Sequence, residues 1–130
     1  MLLDPRYVQF FDLWNQGEFY DCHEVMEDLW LEASGPERPF YQGLALAAGA
    51  FAHLDRKNLA GCAKLLADAI EVLEDYPPRY AGFEVREFVD TLATWQARVT
   101  LMSALGEIEF PPELLPQIET PQSASVRRPA

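Results

Sequence analysis

The chain has two imidazoles, His23 and His53, and the first stands in a string whose spacing suits chemistry. His23-Glu24-Val25-Met26-Glu27 puts an imidazole and a carboxylate four residues apart, which on a helix makes them neighbours on one side. Three kinds of chemistry follow from that pair. With His53 as a third ligand, and Glu24 as a further donor, His23 and Glu27 can grip a divalent metal such as zinc, since three protein ligands plus water is the pattern of catalytic zinc. The string is His-Glu-x-x-Glu, however, not the His-Glu-x-x-His of zinc proteases, nor the Glu-x-x-His of di-iron bundles. The pair also suits general acid–base work, with His23 as the base and Glu27 orienting it, although no nucleophile or glycine-rich phosphate loop stands nearby. Without catalysis, His23, Glu27, Trp30, Gln42 and His53 can either line a groove that holds a small ligand or peptide, or close the core edge as a hydrogen-bonded clasp.

Those side chains need helices to position them, and the hydrophobic periodicity supplies helices. Asp4-Pro5 reads as a cap and first position of a helix running to about Gln16, with Phe10, Phe11 and Trp14 on its apolar side and Gly17 as its stop. A second helix runs from about Glu18 to Ala33. Its apolar face holds Phe19, Cys22, Met26, Leu29, Trp30 and Ala33, with His23 and Glu27 at the edge and Asp21, Glu24, Asp28 and Glu32 on the wet side. The third, about Glu37 to Arg56, is apolar nearly all round over Leu44–Leu54 and belongs at the centre; Gly43 and Gly49 there predict close approach of a neighbouring helix.

Asn58 caps a fourth helix to about Asp75. After a break at Tyr76–Gly82, a fifth spans about Phe83–Leu105 with the seam Val85, Phe88, Leu92, Trp95, Val99, Met102, a spacing that suits a core or a homodimer contact. If the second and third helices pair about a turn near Gly35, His23 comes level with Gly49–His53, and Trp30 with Gln42–Gly43, whose amide is then available to the indole. The expected fold is all-α: a compact bundle of about five antiparallel helices over 1–106, with a proline-rich tail over 107–130 that is either mobile or strapped to the surface.

Composition narrows the partners. The net charge is −11 and the pI about 4.4, which opposes nucleic acid and an anionic membrane surface. With 49% hydrophobic residues the chain can build a core. Its longest apolar run, Leu44–Ala52, is far short of the ~20 residues of a membrane span. Cys22 and Cys62 form no CxxC and fall at apolar helix positions, and Met1–Tyr7 carries no export-signal pattern, so a cytoplasmic protein is expected.

The combination Phe19-Tyr20, His23-Glu24-x-x-Glu27-x-x-Trp30, Gln42-Gly43-Leu44 and a later His53 resembles the DUF309 family of small helical proteins, over roughly Tyr7–Leu73. The resemblance implies an all-helical bundle with Gly17, His23, Glu27, Trp30, Gln42, Gly43 and His53 at its recurring positions, and it implies no activity. Gly17-Glu18-Phe19-Tyr20 is also similar to the turn of a tetratricopeptide helix pair, but no second copy follows at that period. The expectation is a non-enzymatic module that binds a ligand or peptide. The alternative is a hydrolase-like, metal-dependent enzyme using His23, Glu27 and His53.

Overall fold

The computed structural model describes residues 3–106 and 115–121. Among the described residues there are five helices: α1 (Pro5–Asn15), α2 (Phe19–Glu32), α3 (Glu37–Asp55), α4 (Leu59–Leu73) and α5 (Val85–Leu105). Each begins and ends within two residues of the position expected from its sequence signals. Asp4 Oδ1 accepts from the Arg6 N–H at 2.8 Å ahead of Pro5, and Asn58 Oδ1 accepts from the Gly61 N–H at 3.0 Å, so both caps satisfy donors a helix start leaves open. Gly17 and Gly106 follow α1 and α5 in the left-handed region, at φ +78° and +74°.

Short connections fold successive helices back on one another. α3 is flanked by α2 on one side and α4 on the other, with α1 beyond α2 and α5 beyond α4. This explains why α3 is apolar nearly all round: Phe40, Leu44, Ala47, Ala48, Phe51 and Leu54 are fully or almost fully buried. Trp14 is the meeting point of the core. Its ring lies 5.1 Å from Phe19 of α2, 5.3 Å from Phe51 of α3 and 5.3 Å from Phe88 of α5, each edge-on. Such pairs each add ~0.5–1.5 kcal/mol to the burial of their area. The α5 seam, from Val85 to Val99, faces this core. No helix among the described residues is long and apolar enough to cross a membrane.

Two features depart from the helical reading. Phe83 and Glu84 do not begin α5. They form β2 (Phe83–Glu84), paired antiparallel with β1 (Arg79–Tyr80) around Ala81 and Gly82, both at positive φ. That conformation at both central residues is what a tight hairpin turn requires. The Tyr7 hydroxyl donates to the Ala81 carbonyl at 2.9 Å and ties the hairpin to α1. The second feature is that residues 115–121 lie against the bundle. The Trp14 indole N–H donates to the Pro116 carbonyl at 2.9 Å. Asn15 gives its amide to the Ile118 carbonyl at 2.6 Å and takes the Ile118 N–H at 2.8 Å. The rest of the expected tail, 107–114 and 122–130, lies outside the described residues.

Candidate functional site

The core face of α2 is Phe19, Cys22, Met26 and Leu29, and the next positions around the helix are His23 and Glu27. Both therefore stand at the rim, their side chains 30% and 44% exposed. The imidazole lies over α3 at its glycine. A Cβ on Gly49 would come within 3.4 Å of His23 Nδ1 and 3.1 Å of Leu65 Cδ1. Glycine therefore leaves room there for a ring from α2 and a leucine from α4 together. His23 Nδ1 is 2.8 Å from the Ala45 carbonyl. That oxygen can only accept, so Nδ1 carries a proton and donates it there. Nε2 faces Glu27 Oε2 at 3.7 Å, too far for a hydrogen bond.

His53 has a different setting. Asn58, whose Oδ1 is occupied by the Gly61 N–H, donates from Nδ2 to His53 Nδ1 at 3.0 Å. The ring is thus an acceptor at Nδ1, anchored to the start of α4. Gly61 again makes the room: a Cβ there would meet the Asn58 amide at 2.7 Å and the His53 ring at 3.0 Å. His23 and Glu27 are brought together, then, while His53 is engaged by Asn58 rather than by His23. Among the described residues no three of His, Cys, Asp and Glu stand close enough to hold a metal ion. The physical reason is register. His23 meets α3 between Ala45 and Gly49, about a turn short of the expected Gly49–His53 level.

Trp30 is half-buried. The residue over its ring is Arg38, whose guanidinium carbon is 5.6 Å from the centroid and whose Nη1 donates to the Trp30 and Ala33 carbonyls at 3.2 and 3.1 Å. Arg38 thereby caps the C-terminal end of α2. Gln42 is half-buried on α3, and no hydrogen bond joins it to the indole among the described residues. Gln42, Leu46, Gly49 and His53 recur at helical spacing along the side of α3 turned away from the core. α4 borders that side: Leu73 lies against Gly43, Leu65 against Gly49, and Gly61 against His53. The face is thus floored by α3, with His23, Glu27 and Trp30 along the α2 edge. The exposed Asp21, Glu24 and Asp28 continue that edge outward.

Sequence reasoning did not identify Ala45, Leu46, Arg38 or the second role of Asn58. The Ala45 carbonyl carries no side-chain signal at all. Asn58 did carry one, because a capping amide that spends its oxygen on a helix N–H keeps two donors for a nearby acceptor. Two depressions lie elsewhere. A cavity of about 150 Å³ is lined by Phe83, Glu87, Phe88, Gln117 and Ile118 among others. A shallower one between α4 and α5 involves Leu59, Ala63 and Val99. Neither contains a residue of the α2–α3 edge.

Burial and charge act on other groups. The Cys22 thiol donates to the Phe10 carbonyl at 3.2 Å. Its burial holds it far above the ordinary thiol range, and burial pushes Cys62 up to about 12. Both are inert, unpaired thiols. Arg6 joins the first turn of α1 to the last turn of α2 through Glu32 at 2.7 Å and Asp4 at 3.1 Å. Its hydrogen bonds hold both carboxyls below their ordinary range.

Comparison with known proteins adds the family. Residues 7–65 match the model of the Domain of unknown function DUF309. An uncharacterized protein of Aquifex aeolicus (strain VF5) is 31% identical over 104 residues, covering 78% of this chain and 28% of its own length. The uncharacterized protein YpuF of Bacillus subtilis (strain 168) is 33% identical over 58 residues, covering 44% of this chain and 33% of its own. The chain therefore spans a third or less of these curated relatives. No solved structure matches it.

Proposed function

We propose, from the site geometry and the match of residues 7–65 to the DUF309 family, which has no assigned function, a non-enzymatic helical module that holds a small ligand or short peptide on the outer face of α3. The observation that carries the reading is the state of His23. Its Nδ1 is committed to the Ala45 carbonyl and its Nε2 is left at a half-exposed rim beside Glu27. On the same two helices stand the half-buried Trp30, Gln42, Leu46 and His53. A few fixed polar groups on a partly apolar helix pair is the usual make-up of a small-ligand site. The His23 and Glu27 side chains are 30% and 44% exposed, so both stay within reach of a ligand from solvent. The metal-dependent reading would require His53 to leave Asn58 and join the pair. A cytoplasmic setting suits the two unpaired thiols.

The test is a backbone-amide NMR titration of the full chain with three tripeptides: acetyl-Leu-Arg-Leu-amide, acetyl-Leu-citrulline-Leu-amide and acetyl-Leu-Glu-Leu-amide. Saturable shifts gathered at His23, Glu27, Trp30, Gln42, Leu46 and His53 with any of them, and lost in Trp30→Ala, are the expected result. No localised shift with any of the three while the protein stays folded overturns the proposal.

A further inference from the structure

We propose that the groove between the end of α1, the hairpin and the start of α5 is a docking site for an extended peptide of the pattern Pro-x-aromatic, and that the chain's own Pro116-Gln117-Ile118 is a weaker occupant of it. This site is separate from the α2–α3 face. Residues 115–121 carry no helix or strand, yet the bundle grips them as it would a bound peptide. Asn15 donates its amide to the Ile118 carbonyl and accepts the Ile118 N–H, the exchange that a neighbouring strand residue would make. The Trp14 indole N–H donates to the Pro116 carbonyl. These three bonds reach main-chain atoms only; Gln117 adds one from its side chain, to the Asn15 carbonyl. Main-chain bonds of this kind give affinity for an extended segment, and the pockets beside them select its side chains.

The pocket beside Ile118 is larger than that side chain. The cavity of about 150 Å³ has Gln117, Ile118 and Glu119 on one wall and Phe83, Phe88 and Thr91 on the other. The groove is thus wider than the segment lying in it. Voids of about this volume accept a benzene ring. The Phe83 and Phe88 rings are buried and already meet edge-on at 5.1 Å, so a third ring would extend that contact. The polar groups of the lining are engaged or at its edge. Arg79 pairs with Glu84, the Thr91 hydroxyl donates to the Glu87 carbonyl, and the Glu87 and Glu119 side chains are exposed. An uncharged aromatic side chain at the Ile118 position therefore suits the space better than isoleucine does. That advantage matters because a peptide in trans competes with a tethered segment, whose effective concentration is about millimolar.

The test adds three unlabelled peptides to the isotope-labelled full chain: acetyl-Leu-Pro-Gln-Ile-Glu-Thr-Pro-amide, and the same peptide with phenylalanine or with aspartate in place of isoleucine. The phenylalanine peptide is expected to displace residues 115–121, shifting their amides and the Trp14 indole N–H saturably. It should do so at concentrations at least about tenfold below those the isoleucine peptide needs, the scale of one added aromatic contact. Ile118→Ala in the chain weakens the tethered rival and leaves the groove intact, so it should tighten binding of the phenylalanine peptide. In that background Asn15→Ala removes the clamp and should weaken the peptide again. Within the chain, Ile118→Phe should slow hydrogen exchange at residue 118. Faster exchange there would mean that the cavity rejects a ring, and the aromatic pattern falls. If the isoleucine or aspartate peptide competes as well as the phenylalanine one, the pattern falls too. If no peptide perturbs residues 115–121 or the Trp14 indole, in wild type or in folded Ile118→Ala, the segment is a fixed part of the fold and the docking site is overturned. Shifts confined to His23, Glu27 and Trp30 would assign the peptide to the α2–α3 face and overturn this site alone.

Discussion

His23 and His53 each have one ring nitrogen fixed by a partner, and the consequences differ. The Ala45 carbonyl keeps its own place in α3, so losing the His23 ring removes a second bond to an oxygen that is otherwise satisfied. The ring is also partly in solvent. His23→Ala is therefore expected to cost only about 1 kcal/mol, read from urea unfolding; a loss of several kcal/mol would mark the ring as a core element and not a ligand-facing one. Glycines beside the rings follow the same logic of space. A methyl on Gly43 would stand 2.6 Å from Leu73 Cδ2 and 2.7 Å from its Cγ, in the core. Gly43→Ala should then destabilise by about 1–3 kcal/mol. At Gly49 the added methyl meets the end of Leu65 at 3.1 Å, which can swing aside, and the gain in helix propensity of ~1 kcal/mol offsets the crowding. Gly49→Ala should come out within about 1 kcal/mol of wild type, measured by the same unfolding curves. The Gly43 approach was legible in the sequence, since a glycine inside an apolar helix implies a close neighbour. The His23–Glu27 contact was legible too, because four residues on a helix fix it. The Asn58–His53 bond was not, because it depends on how the chain turns between α3 and α4.

At the scale of elements, Asn15 does more than end α1. Its side chain exchanges hydrogen bonds in both directions with Ile118, and its carbonyl takes a third from Gln117 at 3.3 Å. Asn15→Ala removes two of these and should release residues 115–121 from α1. The expected readout is faster hydrogen exchange at the Ile118 amide with little change at α3; unchanged protection there would mean that Trp14 and the burial of Pro121 hold the segment alone. The five helices were legible because each carries an apolar stripe longer than its neighbours' breaks. The hairpin was not. Ala81 sits at φ +50°, where asparagine or glycine would have announced a turn, and Phe83 follows the break directly with no signal to separate it from the helix that begins at Val85. The α2–α3 register was legible only to within a turn. A short connection fixes which helices pair, but the seat of the His23 ring is set by the space at Gly49 and a second bond to the Ala45 carbonyl, neither of which periodicity reveals.

Across the whole molecule, acidic groups pull stability in opposite directions with pH. Arg6 holds Asp4 and Glu32 below their ordinary range. Their stabilisation is present above the ordinary carboxylate value and disappears as pH falls through the lowered folded values. Asp55 has the reverse sign. Partial burial of its carboxyl, and then the Glu18 charge, hold it above the ordinary range, even though the residue as a whole is exposed. Its seat as the last residue of α3 agrees, since the C-terminal end of a helix disfavours a negative charge. A raised carboxyl is a penalty on the folded state at neutral pH, and the penalty is relieved as pH falls through the raised value toward the ordinary one, about 4. Asp55→Asn removes that charge with little change of shape. It should raise Tm at pH 7, and the gain should shrink as pH falls toward the ordinary carboxylate value, about 4, as the wild-type carboxyl takes up its proton. Thermal melts of both proteins across that interval decide the matter. No gain at pH 7 would mean the carboxyl is fully solvated, and an equal gain at both ends would assign the effect to packing at the α3 terminus, not to charge.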